Sequence, residues 1–229
     1  MEIARYMAMT ADEIAEAGQL PERIAWMACH FSPYTTSLSN LPKKLPEGSL
    51  LILNDSTPPE HQNPENIINS LDHTLKLHKC SGLLLDFQRP NNPKCSEIVN
   101  ALLDLKLPVC VSQIYAQDLN CPIFLPPVPL TVTLKDYILP YQDREIWLDT
   151  ALSYGKIQVT GAGSQFLPAL DAAECPQEDR ELHCHYRIDI SDDSVIFTIR
   201  RTKEDLEDLI AEAESFGITT ALGLYQELK

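Results

Sequence analysis

Between residues 49 and 113 the chain alternates two hydrophobic patterns. Residues 49–55 (SLLILND), 81–87 (SGLLLDF) and 108–113 (PVCVSQ) are short runs with solidly apolar centres. Residues 64–79 instead space their apolar side chains helically, at Ile67, Ile68, Leu71, Leu75 and Leu77. Residues 95–105 (CSEIVNALLDL) do the same, with Ser96 placed as the cap. Strands that are apolar on both faces, alternating with amphipathic helices, predict a parallel sheet covered on both sides.

The flanks extend this pattern. Thr10, with Glu13 three positions on, predicts a capped helix over 10–18 that stops at Gly18. Residues 23–31 (RIAWMACHF) form a strand-length apolar run. From 122 onward the rhythm loosens. The proline-rich 122–129 has room for a short strand but no helix. Residues 146–149 and 156–160 are further short strands, and 161–164 (GAGS) is a turn whose glycine spacing does not fit a phosphate loop. Residues 184–190 and 195–201 alternate around the polar turn 191–194, a hairpin. Thr202 caps a helix over 203–216 closed by Gly217, and 218–225 is a last strand. No repeat is visible. The weakest place for a boundary is 167–182, and residues 1–229 read as one domain.

Charge narrows the partners. The chain carries 18 Lys and Arg against 33 Asp and Glu, a net charge of −15 that repels nucleic acid and anionic membranes. No apolar run is long enough to span a bilayer. The first 18 residues hold Glu2, Asp12, Glu13 and Glu16 and no long apolar stretch, which predicts no secretory leader. Seven cysteines, an odd number without a C-x-x-C, several of them in strand-like runs, read as reduced core thiols of a cytoplasmic protein.

The richest stretch is Ser81-Gly82-Leu83-Leu84-Leu85-Asp86-Phe87-Gln88. It resembles the fourth strand of the family 18 glycoside hydrolases, the chitinase family, which carries D-G-x-D-x-D-x-E. Ser81 and Leu84 stand where the first two Asp residues would be, Asp86 keeps the third, and Gln88 occupies the place of the Glu. The C-terminus is similar as well: a hairpin, a helix, then an apolar strand in which Tyr225 is the counterpart, within one residue, of a Trp at the cleft floor. The strand at 50–54 is similar to the family's third strand but ends Asn54-Asp55-Ser56-Thr57 instead of in a Gly pair. The resemblance implies a reduced or irregular (β/α)8 TIM barrel with a C-terminal β-hairpin insertion. Because 229 residues are few for a fold of typically about 250, trimmed helices are expected in the second half.

Retaining family members protonate the leaving oxygen with that Glu, while the substrate's own N-acetyl group attacks and the neighbouring Asp orients it. Gln88 has no such proton, and losing a general acid typically costs about 10²–10⁴-fold. The resemblance therefore implies a protein that lacks the standard hydrolysis and binds a saccharide or similar polar ligand at the barrel mouth. Its binding set is Asp55, Asp86, Gln88, Gln113, Tyr115 and Tyr225, with Asn54, Asp149 and Gln226 at the same rim. Asp86 and Glu227 are the catalytic candidates. Two alternatives stand beside it: a carboxylate- or metal-assisted hydrolase using Asp55, Asp86 or Glu227, and a non-catalytic interaction protein. No cofactor is read. His183 and His185 flank Cys184 on one face, but the hairpin predicts an edge strand whose polar groups face water, so no metal site is assigned. Ser32 beside His30 is the opening of a Ser-Pro turn rather than a nucleophile.

Overall fold

The computed structural model describes residues 2–105, 108–167 and 174–229. Seven strands run in parallel: β1 (Ala4–Met9), β2 (Ile24–Phe31), β4 (Leu50–Asn54), β5 (Gly82–Asp86), β6 (Val109–Ser112), β7 (Ile123–Leu125) and β8 (Ile146–Asp149). The two-residue β3 (Leu38–Ser39) lies antiparallel on β2. After β8 the chain builds a separate antiparallel sheet from β9 (Tyr154–Thr160), β10 (Gly163–Leu167), β11 (Gln177–Asp179), β12 (Cys184–Ile190) and β13 (Ser194–Arg200). It then returns as β14 (Thr220–Leu224), which pairs with β8 and β1, while β1 also pairs with β2. Eight parallel strands thus close into a barrel. The fold is the (β/α)8 barrel expected from the sequence.

The apolar strands are explained by their two buried faces. Along β5, Leu84 points into the barrel, where it meets Leu50, Ile52, Cys110, Phe124 and Trp147. Its neighbours Leu83 and Leu85 point outward into the larger cluster under the helices. Side-chain alternation thus requires apolar residues at every position until the strand emerges at Asp86. Gly82 is needed low in this strand, because a Cβ there would sit 3.0 Å from the Pro108 carbonyl oxygen.

Helices α1 (Ala11–Glu16), α2 (Pro64–Leu77) and α3 (Pro93–Leu102) cover the first half. Thr10 and Glu13 form the expected capping box of α1. α3 starts earlier than Ser96 predicts: Asn92 is the cap, its side chain accepting from the amides of Lys94 and Cys95, and Pro93 opens the helix. Proline fits there because its fixed φ suits a helix and its missing N–H would have no partner. In the second half α4 (Gln113–Ala116) and α5 (Leu134–Ile138) are single turns, the trimming that the chain's length implies. α6 (Lys203–Ser215) precedes β14, and α7 (Tyr225–Leu228) follows it.

The insertion is larger than a hairpin. The β12–β13 hairpin is its centre, turning where Ser191 N donates to Ser194 O at 2.9 Å, and β9, β10 and β11 extend it on both sides. β12 is therefore not an edge, and His185 on it and His183 just before it are both paired with acids. His183 Nε2 lies 2.6 Å from Glu212 Oε2, and His185 Nδ1 lies 2.9 Å from Asp205 Oδ2, both acids on α6. Buried Arg201 donates to the carbonyls of Val128, Leu182 and His183, tying the insertion to the barrel. Of the stretch 167–182, where a boundary was weakest, residues 168–173 lie outside the described ones.

Candidate functional site

The strands' C-terminal ends open on a cavity of about 700 Å³. β5 delivers Asp86 two residues beyond Leu84, on the same inward face. β8 delivers Asp149 by the same logic, after Ile146, Trp147 and Leu148. Both carboxyls line the cavity, together with Asn54, Gln88, Gln113 and Ser112. Its walls are otherwise apolar, from Met27, Ile52, Phe124 and Leu222.

Asp55 is 3% exposed. Its two oxygens accept the backbone N–H groups of Gln88 and Arg89, each at 2.9 Å, so it fixes the loop leaving β5. The Gln88 amide nitrogen then donates to Asp86 Oδ1. Asn54 donates to the Met27 carbonyl at 3.1 Å, and Ser112 Oγ to the Phe87 carbonyl at 2.7 Å. Gln113 donates to the Tyr141 hydroxyl.

Four of the sequence-chosen residues stand elsewhere, Gln226 among them, on α7 outside the cavity lining. Tyr115 lies behind the 88–92 loop, outside the cavity lining: its hydroxyl donates to the Arg89 carbonyl and accepts from Asn92 N, and its ring meets Phe87 edge-on at 5.8 Å. Tyr225 opens α7, with Lys229 Nζ 5.3 Å from its ring centre, and Leu224 is the residue that faces the cavity there. Glu227 Oε2 accepts from Leu152 N at 2.9 Å and acts on Asp149 through its charge. At the end of β2, Ser32 Oγ accepts the amides of Tyr34 and Thr35, a turn.

The electrostatics single out Asp149. Burial raises the Asp86 carboxyl, the Gln88 amide opposes that, and the Asp55 charge adds to it. Asp149 is pushed further, from 3.8 to about 7, by burial first and then by the charges of Asp86 and Glu227. It sits at the rim in the sequence pattern as well, as the acid ending the apolar run IWLD. What the pattern lacks is any sign of its neighbours, which the barrel brings from β5 and α7. Among the described residues, no group of three or more His, Cys, Asp or Glu is arranged to hold a metal ion. No helix there is long and apolar enough to cross a membrane.

No protein-family model matches the chain, and no curated protein matches its sequence. Solved structures do match its fold. The spore cortex-lytic enzyme SleL of Bacillus megaterium QM B1551 superposes with a TM-score of 0.57 at 10% identity, over 97% of this chain and 70% of SleL. The chitinase-like agglutinin RobpsCRA of Robinia pseudoacacia gives 0.59 at 11% identity, covering 98% and 95%. A chitinase from Chromobacterium violaceum ATCC 12472 gives 0.54 at 9%, covering 99% and 95%. The architecture is therefore that of a chitinase-like TIM barrel, of the type found in family 18 glycoside hydrolases. At these identities the likeness is one of fold.

Proposed function

We propose that this chain binds a saccharide, or a similarly hydroxyl-rich ligand, in the barrel mouth and does not cleave it by the substrate-assisted route of the family 18 hydrolases. The observation that carries this reading is the Gln88–Asp86 pair in the cavity. The amide stands where the resemblance puts the proton donor, and it has no proton to give to a leaving oxygen. Asp86 with Gln88 still offers an acceptor and an amide to hydroxyl or acetamido groups. Apolar walls around a few polar groups are the usual make-up of a small-molecule site. One structural neighbour is named a chitinase-like agglutinin, so this barrel type occurs in a protein named for binding rather than cleavage. Six of the seven cysteines are buried, which fits core thiols in a reducing, cytoplasmic setting.

The test is calorimetric titration of the chain with chitotriose and chitotetraose, alongside an assay for new reducing ends. Saturable binding without product supports the reading. Absence of binding to either sugar, or release of reducing ends that Asp86→Ala abolishes, overturns it.

A further inference from the structure

The side-chain donors along the mouth each already make one hydrogen bond within the protein. Asn54 donates to Met27 O, Gln88 to Asp86, Ser112 to Phe87 O and Gln113 to the Tyr141 hydroxyl. Arg89, at the rim, donates to the Ser56 carbonyl at 2.8 Å. The acceptors are unevenly engaged too. Asp55 is taken up by two backbone amides, Asp86 holds the Gln88 amide, and Asp149, three strands along the barrel in the same cavity, accepts from the Thr150 backbone. Around Asp149 are Asp86 from β5, Glu227 from α7 and the Tyr137 phenol from α5. Among the described residues no cation acts on it. Two carboxyls in one apolar-walled cavity do not both ionise readily, because each charge is desolvated and repels the other.

We infer that the Asp86–Asp149 pair holds one proton between its two carboxyls, and that Asp149 presents it to an acceptor oxygen of a neutral ligand. This rests on the saccharide reading above and adds a proton requirement to it. The Gln88 amide hydrogen-bonds Asp86 and so favours its ionised form, leaving the proton to Asp149. Burial raises the Asp149 carboxyl to about 7 and is the largest cause, ahead of the Asp86 and Glu227 charges. The mouth thus meets its own electrostatic strain with a proton, and the ligand receives a carboxyl O–H donor beside the second N–H that the Gln88 and Gln113 amides keep. A ligand whose ring or carbonyl oxygen takes this hydrogen bond binds only the protonated pair. Above the midpoint, binding weakens about tenfold per pH unit.

The experiment measures chitotriose binding by calorimetry at pH 5.5, 7 and 8.5, in two buffers of different ionisation enthalpy. The dissociation constant is expected to rise about thirtyfold from pH 5.5 to pH 8.5, with proton uptake on binding at the upper end. Asp149→Asn should flatten that profile, since its amide does not titrate. A flat wild-type profile overturns the inference while leaving the saccharide reading intact. So does tighter binding at pH 8.5 by a permanently cationic N,N,N-trimethyl glucosamine trimer than by chitotriose, which marks a cation site instead. Should chitotriose bind at no pH, the saccharide reading fails, and a carboxyl-carbon NMR titration of the free protein still decides on the proton. A midpoint for Asp149 near neutrality supports the shared proton, and one below pH 5 removes it.

Discussion

Replacing Asp149 by Asn should make the protein more stable, and by an amount that grows with pH. The folded-state carboxyl titrates at about 7 against an ordinary 3.8, with burial as the chief cause and the charges of Asp86 and Glu227 behind it. A raised carboxyl means that the native state keeps a proton that the unfolded chain has released. Stability therefore falls as pH rises from about 4 to about 7, is flat above, and is unaffected below, where both states are protonated. At 1.36 kcal/mol per pH unit the full rise corresponds to about 4 kcal/mol, of which roughly 1.5 is already present at pH 5. Asn is nearly isosteric and stays neutral, so the variant escapes this cost. Urea denaturation of both proteins at pH 5 and pH 8, with unchanged m-values, should show the advantage of Asp149→Asn widening by about 2–3 kcal/mol between the two. An advantage that is the same at both pH values, or a variant weaker than wild type at pH 8, refutes the buried-carboxyl argument.

Two further substitutions probe how the mouth is built. In Gly223→Ala the new methyl would stand 2.5 Å from Leu228 Cδ1 and 2.7 Å from the Thr150 carbonyl oxygen, so overpacking should lower stability by about 1–3 kcal/mol. A variant with the wild-type urea midpoint would contradict the close seating of α7 on β14. Asp55→Ala strips the acceptors from Gln88 N and Arg89 N and should cost about 2–4 kcal/mol. Hydrogen exchange at those two amides should accelerate, and unchanged protection would show that the loop is held by something other than Asp55.

The fold was legible where its determinants are local. Buried strands such as Leu50–Asn54 and Gly82–Asp86 must be apolar on both faces, and the helix between them carries its own cap and periodicity. β1 had no such signal: ARYMAM mixes Arg, Tyr and Met, and its place is set by pairing with β14, more than 200 residues away. Of the insertion, the hairpin and β9 were readable, whereas β10 and β11 are short, exposed edges. At the mouth, acids ending apolar strands were readable one by one. Tyr115 was misjudged because Gln113 already starts a helical turn, where two residues are about 200° apart and point to opposite sides rather than the same one. Tyr225 failed for a related reason: β14 ends at Leu224, and α7 rotates the next residue out of the cavity lining.

Gln88 and Asp149 explain each other. Position 88 is fixed by its backbone, whose N–H is held by Asp55, and its side chain lies on Asp86. A Glu there would remove the one amide that favours an ionised Asp86. It would also add a negative charge to a mouth that already contains Asp55, Asp86 and Asp149, with Glu227 acting from α7. Like charges that close in an apolar-walled cavity push one another's protonation upward, and the cost falls on folding. With Gln at 88 the fourth barrel strand contributes an acceptor and an amide, and the titrating carboxyl stands on β8. A carboxyl desolvated in a cavity rather than a sealed core is the kind of group that marks a candidate binding site. The proton missing from the fourth strand is thus to be sought across the barrel, at Asp149.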